Sequence, residues 1–141
     1  MTINAQLALR DFLTTEATLN DYCQTYFGKL PTHIVGYKRA PIADDYPVLN
    51  YVPIQTEVDG LIYDKELVGL VIGVNEPGIV NNVMQGHVRV AELADIVLTA
   101  INPGHLAPNA TYINQAKIIF DMGERHPFYE AELQLQLLWR R

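Results

Sequence analysis

The C-terminal stretch constrains this chain more than any other part of it. Between Phe128 and Trp139, the residues Tyr129, Ala131, Leu133, Leu135 and Leu137 alternate with Glu130, Glu132, Gln134 and Gln136. Side chains of an extended strand point to opposite faces with period two, so this pattern predicts one buried and one wet face. A strand with an apolar face needs partners, so the chain must place this segment inside a sheet. The wet face offers carboxylates and amides without a nucleophile or a metal cluster. That favours a building block over a catalyst.

The 141 residues fit one domain, 1–141, and a chain of this length buries enough surface for a core without disulfide or metal staples. No run of 18 apolar residues is present, which excludes a membrane-spanning helix at the level of sequence. The start lacks the basic and apolar regions of a signal peptide, and Cys23 is the single cysteine, so a cytosolic life without disulfides is expected. Cys23 sits within an apolar helical pattern and reads as a buried thiol.

The formal charge is −6, and it is unevenly spread. Between Pro41 and Glu66 stand Asp44, Asp45, Glu57, Asp59, Asp64 and Glu66 against Lys65; six acids and one base leave −5 in that segment. Proteins that grip DNA neutralise its phosphates with Lys and Arg, and this chain has no basic stripe to do so. A wall past which DNA slides remains compatible with such a charge.

Apolar residues from Leu7 to Phe27 recur at helical spacing, with a break near Thr14-Thr15-Glu16 and Thr15 as a candidate cap; Thr2 or Asn4 can cap the start. Gly28 and Pro31 stop the pattern. A short strand is expected over 34–38, and a longer one over 48–54, at an edge or bulged because Pro47 and Pro53 cannot donate to a ladder. Asp59-Gly60 signals a two-residue hairpin. The run 67–74 is apolar on both faces and reads as a central strand, ended by Asn75-Glu76-Pro77-Gly78. A second amphipathic helix is expected over 88–101, then strands over 116–121 and 128–139 paired as an antiparallel hairpin. The fold class this predicts is α+β: a largely antiparallel mixed sheet of about five strands with two amphipathic helices packed on one face.

The residues of chemistry are sparse. His33, His87, His105 and His126 lack zinc spacing with one another or with Cys23, and the chain contains no serine. Asp121, Glu124 and His126 cluster at a strand connection, which reads as a solvated turn, with a metal or acid/base site as its alternative. Asp44-Asp45 and Glu57 with Asp59 lack the rhythm of a calcium loop. Gly69 and Gly73 do not make a phosphate loop, and small residues admitting a closely packed helix explain them better. No catalytic, cofactor-binding or metal-binding residue is assigned, and no cofactor is expected. Eight tyrosines stand against four phenylalanines. Tyr46, Tyr51 and Tyr63 in the acidic half read equally as a partner-contact surface or as rings lining strand faces.

The order of elements resembles the tail terminator, or tail completion, proteins of long-tailed bacteriophages and prophages. The resemblance rests on the N-terminal amphipathic helix, on Tyr46-Pro47-Val48 entering a strand after an acidic loop, and on the apolar strand 67–74. The helix bearing Ala91-Glu92-Leu93-Ala94-Asp95-Ile96-Val97 and the closing strand from His126-Pro127-Phe128-Tyr129 complete it. It implies a non-enzymatic subunit that closes into a homohexameric ring on the tail tube, ends tube growth and offers the surface to which the head docks. Its partners are then other copies of itself, the tail tube protein and the head-tail connector protein. DNA passes without specific binding, with Asp44, Asp45, Glu57 and Asp59 as a candidate acidic loop facing the lumen. The protein would assemble in the host cytoplasm and reside in the virion tail. The rival readings are another neck or minor tail (head-tail joining) protein, and a small α+β enzyme or ligand-binding domain.

Overall fold

The computed structural model describes residues 3–36, 42–60 and 62–141. The N-terminal apolar pattern forms two helices, α1 (Asn4–Thr14) and α2 (Ala17–Phe27). The break falls where Thr14-Thr15-Glu16 interrupts the spacing, but the cap is Glu16, whose side chain accepts from the Thr18 amide at 3.4 Å, and not Thr15. Ile3 precedes α1 without a side-chain cap, Asn4 is its first helical residue, and Thr2 lies outside the described residues. Gly28 ends α2 in the left-handed conformation, φ 72°, which a residue without Cβ adopts at little steric cost.

Strand β1 (Thr32–Val35) begins two residues earlier than expected, and Tyr37 and Lys38 lie outside the described residues. A single 3-10 turn, Ala43–Asp45, leads to β2 (Val48–Asp59). Then follow β3 (Tyr63–Asn75) and a small hairpin of β4 (Ile79–Val80) and β5 (Val83–Met84). Helix α3 (Gln85–Ile101), β6 (His105–Ala107), β7 (Ala110–Phe120) and β8 (Phe128–Arg140) complete the chain.

The main sheet has the order β1-β2-β3-β8-β7-β6. Every pairing within it is antiparallel except β1 with β2. The α+β class and the mixed, mostly antiparallel sheet agree with expectation. The counts do not: among the described residues six strands replace about five, a separate two-stranded hairpin is added, and three helices replace two. The extra strands are short, and segments of two or three residues are too brief for a periodic pattern to register, while the third helix arises because the break near Thr14-Thr15-Glu16 divides the N-terminal pattern in two. The hairpin at Asp59-Gly60 and the antiparallel pairing of β7 with β8 are as read from sequence. Pro53 does bring a bulge: the ladder shifts between Pro53 and Gln55, leaving Ile54 extra.

The predicted alternation of the last strand is present without exception from Tyr129 to Leu137. Those residues face the same core as Val68, Leu70, Ile72 and Val74 of β3, all 0% exposed. The helices supply Leu9, Leu13, Leu19, Val90, Leu93 and Val97 to that cluster, so all three cover one face of the sheet. At about 25 cal/mol per Å² of apolar area buried, these facing stripes are the main stabilising term.

Gly69 and Gly73 require a correction. They lie on the face of β3 turned away from the helices. A Cβ at Gly73 would stand 2.5 Å from Cε1 of Tyr46, and one at Gly69 would stand 3.0 Å from Cδ1 of Ile54. They make room for β2 side chains and the loop before it. The glycine that admits a helix is Gly86, where a Cβ would come within 1.9 Å of the Tyr129 ring. Among the described residues, no helix is long and apolar enough to cross a membrane.

Candidate assembly surface

The acidic residues singled out from sequence do not form one loop. Asp44 and Asp45 sit in the turn before β2, where Lys29 Nζ donates to the Asp44 carbonyl oxygen. Glu57 and Asp59 lie near the far end of the same strand. At ~3.3 Å per residue, Val48 and Glu57 are about 30 Å apart. Asp44 and Glu57 are exposed and Asp45 is half-buried. Glu57 stands opposite Lys65 on the sheet face away from the helices. Asp64 and Glu66, on the helix side of β3, are buried and internally satisfied: Arg141 Nε donates to Asp64 at 3.0 Å, and the Thr56 hydroxyl donates to Glu66 at 2.6 Å.

Two of the three tyrosines proposed for partner contact turn inward. Tyr51 is fully buried, its hydroxyl bonded to His33 Nδ1 at 2.8 Å, and burial pushes its pKa upward. Tyr46 is 5% exposed; it packs on Phe128 with ring centroids 5.0 Å apart and donates to Glu130 at 3.1 Å. Burial, and then the Glu130 carboxylate, raise its pKa. Tyr63, by contrast, is 42% exposed. A tyrosine beside a loop looks the same in sequence whether its ring folds back or out.

The residues Asp121, Glu124 and His126 take up turn duties. Asp121 accepts from the backbone amides of Gly123 at 2.9 Å and Glu130 at 2.8 Å, while Arg125 bonds Glu130 at 3.0 Å. Glu124 is exposed, and His126 Nδ1 is bonded to the Tyr129 hydroxyl. Among the described residues no group of three or more His, Cys, Asp or Glu converges as metal ligands do. Cys23 is buried as expected, and burial pushes its thiol up to about 12. A network at the α2–α3 contact went unread in the sequence. Tyr22 donates to Glu92 at 3.0 Å, Arg89 bonds the same carboxylate at 3.0 Å, and its guanidinium lies 3.9 Å over the Tyr26 ring. Only the i, i+3 spacing of Arg89 and Glu92 hinted at it.

What the surface does offer is apolar and extended. Ile79, Val80, Val83 and Met84 of the β4–β5 hairpin are 40–55% exposed around a turn in which Asn81 and Asn82 both have positive φ. The adjacent asparagines between two apolar pairs were the missed signal. Strand β7 is free on its outer side beyond Tyr112, because β6 covers only its first residues, and Ile113, Ile119 and Phe120 are 38–46% exposed. An open groove of about 520 Å³ between α1 and the β6 end is lined by Leu7, Phe12, Leu106 and Trp139 among others. Exposed apolar strand edges and arms of this kind are surfaces on which another chain can pair or pack.

No protein-family model matches the chain, and no curated protein matches it. A solved structure does: a chain of the virion of a native gene transfer agent particle aligns over 96% of this chain and 94% of its own, with a TM-score of 0.51 and 12% identity. This chain has the fold of that virion component. The likeness runs nearly end to end in both chains and so covers nearly the whole domain. At 12% identity it is the fold, and not a set of side chains, that the two share.

Proposed function

We propose that this chain is a structural subunit of a phage or phage-like particle, and specifically a tail terminator that closes into a homohexameric ring on the end of the tail tube. The observation that carries the reading is the end-to-end likeness to a virion chain, joined to a surface built of open strand edges and exposed apolar arms. The ring blocks further tube subunits by occupying the end surface they would add to, and its opposite side receives the head-tail connector protein. A ring requires a heterologous contact, in which two different patches of one subunit meet in the next. Its work is done by shape, and no bond-making step is assigned to any residue.

In this reading the protein assembles in the host cytoplasm and stays in the virion tail. The sheet face away from the helices, bearing Glu57, Glu130 and Glu132, lines the channel, with Asp44 and Asp45 at one end of it. Lys65 and Lys117 on this face stand beside Glu57 and near these carboxylates, so the face offers no basic stripe to hold phosphates as DNA passes. Tyr63, at the start of β3, meets the neighbouring protein.

The direct test uses purified tail tube protein from the same gene neighbourhood, polymerised with and without this chain and imaged by electron microscopy. Capping yields shorter tubes, each ending in a ring. Tubes of unchanged length with no density at their ends would rule the terminator out, and binding to connector rings alone would make the chain a head-side joining subunit. Replacing Asp44 and Asp45 by lysine in assembled rings is expected to convert a non-retaining channel into one that holds DNA at low salt.

A further inference from the structure

The two flanks of the main sheet are each half covered. Strand β1 pairs with β2 only over Val48–Tyr51, and no strand among the described residues lies against β2 beyond that point. Strand β6 reaches only Ala110 and Thr111 of β7, with one further bond from the Tyr112 amide to Gly104. The uncovered runs are 52–59 and 113–120, eight residues each. Both are bulged at one end, so regular extended backbone is confined to 55–59 and 116–120. Open backbone of this kind is a template for another strand.

The geometry points to a ladder between copies of this chain, in which 55–58 of β2 in one copy pair antiparallel with 116–119 of β7 in the next, and Glu57 stands opposite Lys117. This deepens the ring reading and rests on it, because it names the two patches that ring closure needs.

Direction, facing and charge agree on the pairing. Within one copy β2 and β7 run in opposite directions, as the successive antiparallel pairings of β2, β3, β8 and β7 require. Continuing the sheet into a second copy in the same orientation therefore places the two open edges antiparallel. Facing is set by the pleat. Gln55 and Glu57 lie opposite Leu67 and Lys65, and Lys117 and Ile119 lie opposite Gln134 and Glu132, all on the face away from the helices. The pairing keeps Gln55 with Ile119, Thr56 with Ile118, Glu57 with Lys117 and Val58 with Ala116, each on a common face. A slip of one residue would send every side chain to the wrong face. Lys117 makes no ion pair among the described residues. A lone lysine on an edge usually guards against pairing, but here a carboxylate stands at the matching position of the other edge.

The stagger fits a closed cylinder. Glu57 stands level with Thr111 of the same copy, through Lys65 and Leu138. Lys117 pairs with Gln134 where Thr111 pairs with Leu138, so matching Glu57 to Lys117 slides the next copy along the strands by 138 − 134, or four residues of β8, about 13 Å. This offset also brings each open half past the covered half of its neighbour. A constant stagger in one direction is what a tilted-strand sheet needs in order to close on itself. A two-fold dimer would instead join like edges and stop there.

The test is cross-linking of the full chain. Gln55→Cys and Ile119→Cys, both at exposed positions, are made singly and together; Cys23 is buried and stays silent. Mild oxidation of the double variant is expected to give a ladder of covalent multimers ending in a closed species, with none from either single variant. Glu57→Lys is expected to abolish multimers, and adding Lys117→Glu to restore them, which loss of a merely structural Glu57 would not allow. Rings visible by electron microscopy without cross-links overturn this interface and leave the ring reading standing. Disulfides in a single variant overturn it in favour of a two-fold contact. A chain that neither cross-links nor associates at its highest soluble concentration overturns both.

Discussion

The middle of the sheet and its flanks are built from the same kinds of residue and behave as opposites. Strands β3 and β8 are paired along their full length, from Tyr63 with Arg140 to Asn75 with Phe128, without a bulge. Strands β2 and β7 carry Ile, Val and Phe too, yet each is bulged and half unpaired, and Ile54, Val58, Ile119 and Phe120 are 43–57% exposed. The same apolar chemistry is spent on cohesion at the centre and held available at the edges. Open edges of this kind are what the proposed continuation into a neighbouring copy would use.

That contrast places the largest losses of stability at the centre. Leu133→Ala removes a fully buried side chain of β8 and leaves a cavity, so unfolding in urea should show a loss of about 2–5 kcal/mol. Gly86→Ala comes next. Its Cβ would fall inside the Tyr129 ring, which is 1% exposed and has nowhere to go, so about 1–3 kcal/mol of overpacking is expected in the same assay. A Leu133→Ala protein as stable as the parent would show that the centre does not hold the fold.

A smaller effect sits where β1 meets the core. Burial first, and then the positive charge of Arg10, lower the pKa of His33, which bonds Tyr51. A lowered value means the unfolded chain takes up the proton more readily. The stabilisation is therefore present above the ordinary imidazole value of about 6.5 and drains away as pH falls below it. Thermal melts should fall more steeply between pH 6.5 and 5 in the parent than in His33→Gln, and equal slopes would remove His33 from the account.

The same contrast explains what could be read from the sequence. Strand β8 was legible because its wet face is Glu and Gln all along, and β3 because it is apolar on both faces between clear turn signals. Helix α3 was legible by its 3.6 period, although it starts three residues earlier than expected, at Gln85, where Gln-Gly-His carries no helical signal. The flanks were not. Strand β7 shows itself in the sequence only over 116–121, because the bulge at Asn114, φ 54°, breaks its alternation. Tyr46 and Tyr51 were indistinguishable from Tyr63 until tertiary packing decided which rings turn in. Glycines 69 and 73 advertised a close approach, but nothing local says which face of a central strand the visitor comes from.

The smallest expected effect is the most telling about the flanks. Phe120 lies on the helix-side face of β7, opposite Ala131, yet it is 46% exposed. Phe120→Ala in the isolated chain should therefore shift stability within about ±0.5 kcal/mol, as surface substitutions do, in contrast to the 3–5 kcal/mol typical of a buried phenylalanine. The measurement is a urea titration of dilute protein, where association is negligible. A loss of several kcal/mol there would mean that the edge already serves the monomer's own core. The difference between centre and flank would then be one of degree, with β7 spoken for before any neighbour arrives.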